Sequence, residues 1–265
     1  MVALKLTAAR VGPREIPGGV GFRPRMTRVT LLELPACFDD APGQLARVDA
    51  WLSQAPAGEL VLLPELSLTG YVSPGLDFDV SRFAEPVDGP TVQALAALAK
   101  KHRCTLVGPL VESWMGQYFN ALVGLDARGE RWLHYRKHHP WMPETWATKG
   151  NLPLPLVEWQ GLAVTAAICF DVHFLAVEEA ATLRQADLLL FSSAWVAEEE
   201  DGRAELLAAL AEEFDLAIVN ANWGPGSPRV TGQGRSLALN RSGQIAAETK
   251  PGQGRLDLEL SALGL

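Results

Sequence analysis

The chain has 265 residues, of which 48% are hydrophobic, with a net charge of −8 and three cysteines, Cys37, Cys104 and Cys169. That length suits one large α/β domain or two small ones with a well-buried core. The acidic balance disfavours a phosphate backbone as partner, so nucleic acid is not expected. Widely spaced cysteines without a CxxC pair argue against a disulfide framework or zinc knuckle and predict a reduced, cytoplasmic protein.

Residues 1–25 hold Lys5, Arg10, Arg14, Arg23 and Arg25 against Glu15 alone, among many Gly and Pro residues. This composition predicts a poorly ordered basic leader ahead of one domain over 26–265. No apolar run approaches the roughly 20 residues that span a bilayer, so no membrane partner is expected. Arg28–Leu34 is a short apolar run suited to a buried strand, and Gln44–Ser53 spaces Leu45, Val48, Trp51 and Leu52 as a helix does. Leu60–Leu63 predicts a second strand, and Thr91–His102 an amphipathic helix ending in cations, as the helix dipole prefers. Thr105–Val111, Ala121–Leu125 and Trp132–Arg136 follow as strands, the last two joined by the turn Asp126-Ala127-Arg128-Gly129.

The second half repeats this rhythm. Leu162–Ile168 predicts a strand running into Cys169, Val177–Gln185 a helix and Leu188–Phe191 a strand. Glu205–Phe214 predicts a helix, Leu216–Asn220 a strand, and Ser236–Leu239 with Ile245–Ala247 a closing hairpin. Two such halves imply sheets covered by helices, although spacing alone fits either a sandwich of two sheets or one doubly wound sheet.

Three reactive residues follow apolar runs, where α/β folds present ligands: Glu65, Lys137 and Cys169. Together they meet the needs of acyl transfer. A neutral thiol attacks slowly, a carboxylate can take its proton, and a lysine cation favours both thiolate and oxyanion. A Cys169–His173 pair is a rival, but residues four apart at a strand-to-loop junction rarely meet. A metal site of His134, His138 and Glu144 is another; four residues along a strand span about 13 Å, too far for one ion.

Leu63-Pro64-Glu65-Leu66, Tyr135-Arg136-Lys137 and Ile168-Cys169-Phe170-Asp171 resemble, in order and spacing, the three signature segments of the nitrilase superfamily of carbon–nitrogen hydrolases. The resemblance runs from about Met26 to about Leu258. It includes Thr69-Gly70-Tyr71, Glu85-Pro86-Val87-Asp88-Gly89-Pro90-Thr91, Asn120-Ala121-Leu122 and Ser193-Ala194-Trp195. Lys137 to Trp146 is similar to the stretch after the catalytic lysine in aliphatic amidases and formamidases, one residue shorter, which makes Glu144 the match of a second active-site glutamate. Many amidase-like members carry Arg at the position of His173, so acidic amides are not favoured here. Phe170-Asp171, where nitrile hydrolases commonly have Trp-Glu, favours amides.

The resemblance implies an α/β fold, a four-layer α-β-β-α sandwich, and a homodimer without metal or organic cofactor. It also implies hydrolysis of a small amide through a thioester on Cys169, with Glu65 as base, Lys137 as oxyanion partner and Glu144 holding Lys137. Tyr71, Trp141, Phe170, His173 and Trp195 are the substrate-binding candidates. The same triad would also serve an acyltransferase, and a non-catalytic scaffold is the remaining alternative.

Overall fold

The computed structural model describes residues 28–54, 60–196 and 202–265; the expected leader over 1–25 lies outside them. Twelve strands form two six-stranded sheets. The first contains β1 (Arg28–Leu32), β2 (Leu60–Leu62), β3 (Thr105–Trp114), β4 (Gln117–Leu125), β5 (Arg131–Arg136) and β12 (Arg255–Glu259), in the order β12-β1-β2-β3-β4-β5. The second contains β6 (Val157–Trp159), β7 (Leu162–Ile168), β8 (Leu188–Ser193), β9 (Ala217–Asn222), β10 (Leu237–Leu239) and β11 (Ile245–Glu248), in the order β6-β7-β8-β9-β10-β11.

The two halves share one plan. In each sheet three parallel strands, β1-β2-β3 or β7-β8-β9, carry an antiparallel strand on one side and an antiparallel pair on the other. Parallel neighbours need crossovers, and helices supply them. Helices α1 (Ala41–Gln54) and α2 (Pro90–His102) make the crossovers in the first sheet. In the second they are α3 (Val172–Glu178) with α4 (Ala180–Leu183), and then α5 (Arg203–Phe214).

Period-two alternation divides the first sheet's side chains. Val29, Leu31, Leu60, Leu62, Val107 and Leu122 join the core shared with the second sheet. Leu32, Val61, Leu63, Leu106 and Val123 pack outward with Val48, Leu52, Leu95 and Ala99 of the helices. The result is the expected α-β-β-α sandwich. It resolves the choice that spacing left open, because the strands pair in two separate sheets.

Two differences from the sequence reading bear on function. The helix expected over 177–185 begins earlier: a 3-10 turn over Cys169–Asp171 leads straight into α3, which breaks at Glu179 before α4. Strands β6 and β12 were not expected; both are short, and their residues alternate in burial without forming an apolar run. No helix among the described residues is long and apolar enough to cross a membrane.

A buried ion pair ties β5 to β3 across the intervening β4. Arg136 donates to Glu112 through Nε at 2.9 Å and Nη2 at 2.5 Å, while His134 Nε2 lies 2.8 Å from the same carboxylate. The guanidinium also lies over the rings of Phe119 and Trp114, 4.2 and 4.8 Å from their centroids. Burial opposes ionisation of Glu112, but Arg136 and His134 outweigh it and hold the carboxyl at about 2 rather than 4.5. A depressed folded-state pKa contributes stability that is present above 4.5 and lost as pH falls toward 2. Glu112→Ala, which leaves Arg136 buried without its carboxylate, should cost about 3–5 kcal/mol in urea denaturation at pH 7. It should also flatten the loss of stability between pH 4.5 and 2; an unchanged midpoint and acid profile would contradict this role.

Candidate active site

Four chain segments deliver the site from the carboxyl ends of their strands, and local hydrogen bonds fix each one. β2 leads through Leu63 and Pro64 to Glu65, and Leu63 N–H still bonds to Val107 O, at 2.9 Å. The turn beyond it needs Gly70, whose φ is +94° and where a Cβ would sit 2.2 Å from the Cys37 carbonyl oxygen. That turn carries Tyr71 inward. Lys137 follows β5 directly, and its N–H donates to Asn120 O at 2.8 Å, which continues the β4–β5 ladder and sets Lys137 beside Asn120. Glu144 closes a tight turn, its N–H bonded to Trp141 O at 2.7 Å and its Oε2 accepting from Trp141 N–H at 2.6 Å.

Cys169 directly follows β7 with φ +45°, in the left-handed region that only glycine enters freely. Such a conformation costs on the order of 1–3 kcal/mol in a non-glycine residue and persists only where the surroundings hold it.

The side chains converge. Lys137 Nζ donates to Glu65 Oε1 and to Glu144 Oε2, both at 2.6 Å. Asn120 Nδ2 spends both of its hydrogens on the same pair, 2.8 Å from Glu65 Oε1 and 2.7 Å from Glu144 Oε1. The Ala194 N–H, just past β8, donates to Glu65 Oε2 at 2.9 Å. Glu65, Lys137 and Glu144 are at most 2% exposed.

Burial works against the Lys137 ammonium, but Glu144 and Glu65 outweigh it and raise its pKa above the ordinary lysine value. Burial raises Glu144, with Lys137 pulling the other way. Cys169 rises well above an ordinary thiol because of burial first and the Glu65 charge second, with Lys137 partly offsetting them.

All five substrate-binding candidates line one cavity with Cys169: Tyr71, Trp141, Phe170, His173 and Trp195, joined by Ala194 and Val196. It offers about 30 Å³ to water-sized bodies, which at roughly 10–15 Å³ apiece means space for two or three. Tyr71 stacks on Trp141 at 6.3 Å, and the exposed His173 ring lies 4.9 Å from Phe170 and 6.0 Å from Trp195. The backbone of Trp195 is pinned by Asn222 Oδ1, which accepts its N–H at 2.9 Å.

The rival sets do not assemble. His134 bonds to Glu112, His138 Nε2 lies 2.6 Å from Leu152 O, and Glu144 belongs to Lys137. Among the described residues no group of three or more His, Cys, Asp or Glu is placed to hold a metal ion. His173, on α3, packs its ring against Phe170 and Trp195. Sequence reasoning missed Asn120 and the Ala194 N–H. Asn120 carried one signal, a polar residue directly ahead of the apolar run Ala121–Leu125; the backbone donor carried none.

Comparison with known proteins now bears on this arrangement. The family model of carbon-nitrogen hydrolases matches residues 29–255. The chain belongs to the carbon–nitrogen hydrolase family. It lies on the amidase-like branch of the nitrilase superfamily. A hydrolase in the pqqF 5' region of Pseudomonas protegens is 33% identical over 71% of this chain and 65% of its own length, just under two thirds. An (R)-stereoselective amidase from Pseudomonas sp. is 25% identical over 88% of this chain and 84% of its own. A mutant amidase from Nesterenkonia sp. AN1, showing the result of Michael addition of acrylamide at its active-site cysteine, superposes with a TM-score of 0.76 and 27% identity. It covers 88% of this chain and 93% of that one.

Asn120→Ala would leave two carboxylates sharing one ammonium with two N–H donors removed. Hydrogen bonds to charged groups contribute about 1.5–3 kcal/mol each, so urea denaturation at pH 7 should show a loss of at least about that size. Wild-type stability in a folded Asn120→Ala variant would mean that the amide holds neither carboxylate.

Proposed function

We propose that the protein hydrolyses a small, uncharged amide to a carboxylic acid and ammonia or an amine, through an acyl-thioester on Cys169. Family membership supports an enzyme acting on carbon–nitrogen bonds other than peptide bonds. The observation that carries the finer reading is one buried ammonium shared by two carboxylates beside a thiol in the only strained conformation of its turn.

The raised thiol pKa means that deprotonation must accompany attack. Glu65 Oε2 receives one amide donor and keeps lone-pair capacity to take the Cys169 proton. Sulfur then bonds to the amide carbon, and the Lys137 ammonium with the Phe170 N–H holds the oxyanion; such fixed donors contribute about 2.7–4 kcal/mol each. Glu65 returns its proton to the leaving nitrogen as the carbon–nitrogen bond breaks. It next takes a proton from water, whose oxygen attacks the thioester carbon, and passes that proton to the sulfur as the carbon–sulfur bond breaks, which releases the acid and restores the thiol and the carboxylate. Glu144 keeps Lys137 in place throughout.

The wall supports the substrate class. Aromatic and aliphatic groups surround the cavity, and among its lining residues the sole basic side chain is His173, already packed against two rings. A carboxylate on the acyl chain would lose water there without gaining a cation. The homodimer belongs to the same reading through family resemblance, and the cytoplasmic location through the cysteines, which are all three unpaired and suit a reducing compartment.

Ammonia release should be measured across short aliphatic amides, aromatic amides, ω-amides of dicarboxylic acids and N-carbamoyl compounds. Short neutral amides should lead and Cys169→Ala should lose turnover by at least about 10⁴-fold, as removal of a nucleophile does. Faster turnover of the ω-amides would refute the substrate class. Turnover that requires an added amine acceptor and is negligible in water alone would favour an acyltransferase.

A further inference from the structure

One fully buried ionisable group has no part in the chemistry above. Asp171 is 1% exposed and accepts three hydrogen bonds. Oδ2 receives Tyr135 Oη at 2.9 Å and the Ile168 N–H at 3.1 Å, while Oδ1 receives the His139 N–H at 2.8 Å. These donors flank the two proposed reactive residues: Ile168 immediately precedes Cys169, and Tyr135 and His139 stand two residues to either side of Lys137. β5 and β7 lie in different sheets, so a single carboxylate ties the sulfur's turn to the lysine's strand across the sandwich.

The tie is reinforced locally. His139 stacks on Phe174 with centroids 3.8 Å apart and its Nε2 lies 3.0 Å from Glu178, while His138 Nδ1 lies 3.3 Å from Glu179. The loop after Lys137 is thus fastened to the helix that follows Cys169.

We propose that Asp171 is a positioning residue, whose ionised carboxylate holds the Lys137 ammonium in register with the Cys169 sulfur. This rests on the reading of Cys169 as nucleophile. A carboxylate suits three donors; a carboxylic acid does not, because one oxygen would then turn a hydrogen toward a donor. The Ile168 and His139 amides cannot reverse their roles, and Tyr135 Oη already accepts from the His138 N–H at 3.3 Å. Protonation therefore breaks one side of the tie.

The groups facing Asp171 are Tyr135 and Lys137 at the end of β5, His138 and His139 from the next loop, Glu178 at the end of α3 and Glu179 just past it. Burial raises Asp171 to about 6, with Lys137 and the two amide donors pulling it down. The tie is intact above about 6 and loosens as pH falls through it. A lysine out of register no longer lowers the thiol pKa, so sulfur reactivity reports the loss directly.

The test follows iodoacetamide alkylation of Cys169 in the full chain from pH 5 to 9, read by peptide mass. In the wild type the rate should fall with pH more steeply below about pH 6 than above it. Asp171→Asn should alkylate at least about tenfold more slowly at pH 7.5 and lack the steeper limb. For any amide the enzyme turns over, kcat should drop while KM stays within about twofold. Tyr135→Phe removes one donor but keeps the carboxylate, and should move the break to higher pH; it decides the matter if Asp171→Asn does not fold. A folded Asp171→Asn with wild-type alkylation, or a Tyr135→Phe with an unmoved break, overturns the proposal. Undiminished amide turnover in Cys169→Ala would instead overturn the reading of the nucleophile.

Discussion

Lys137 is an ammonium group sealed from water between Glu65 and Glu144, and the geometry of the whole site follows from what that burial demands. An isolated buried cation is prohibitively costly, and a single carboxylate compensates it only with excellent geometry. Two carboxylates overcompensate, leaving a net negative charge among the three groups. Asn120 and the Ala194 N–H supply the missing positive ends of dipoles. The Cys169 thiol then meets a field that disfavours its own ionisation, with Glu65 the second cause after burial. In the proposed mechanism the Cys169 proton is therefore removed by Glu65 in the same step as attack on the acyl group.

The sandwich makes that convergence possible. Glu65, Asn120 and Lys137 come from the first sheet, Cys169 and Ala194 from the second, and the shared apolar core sets the distance between them. Ser192 Oγ, donating to Leu63 O at 2.9 Å, adds a direct link between the strand ends that carry Glu65 and Ala194. Close packing of this kind transmits small displacements rather than absorbing them, so a registry error between the sheets would reach the sulfur and the ammonium together. The Cys169 backbone, held at positive φ, is the visible cost of aiming the thiol inward.

Much of this was legible in the sequence for definite reasons. Strands β2 and β7 are apolar runs that end just before a charged or nucleophilic residue, and β5 turns Leu133 and Tyr135 inward on its way to Lys137; a local reading finds such junctions. The two-sheet pairing was not legible, because alternation along a strand reports its faces and never its neighbour; family resemblance supplied it. β12 escaped because Arg255 and Asp257 give it a polar cast while only Leu256 and Leu258 turn inward. The helix after Cys169 begins five residues earlier than expected because Val172, His173 and Phe174 do not show a continuous apolar stripe; the 3-10 turn, held through Asp171 by Tyr135 Oη and the His139 N–H, starts it. Asn120 was seen only as part of a motif, since its role depends on two carboxylates that lie 55 residues before it and 24 after it.

The central claim is that Cys169 carries the acyl group between the two halves of the reaction. Rapid acid quenching during turnover of a reactive amide, followed by intact and peptide mass analysis, tests it most directly. The account predicts a mass increase equal to the acyl group, located on Cys169, lost on hydroxylamine treatment and absent from Cys169→Ala. Steady turnover by a Cys169→Ala protein, or an acyl adduct located on another residue of an active enzyme, would contradict it.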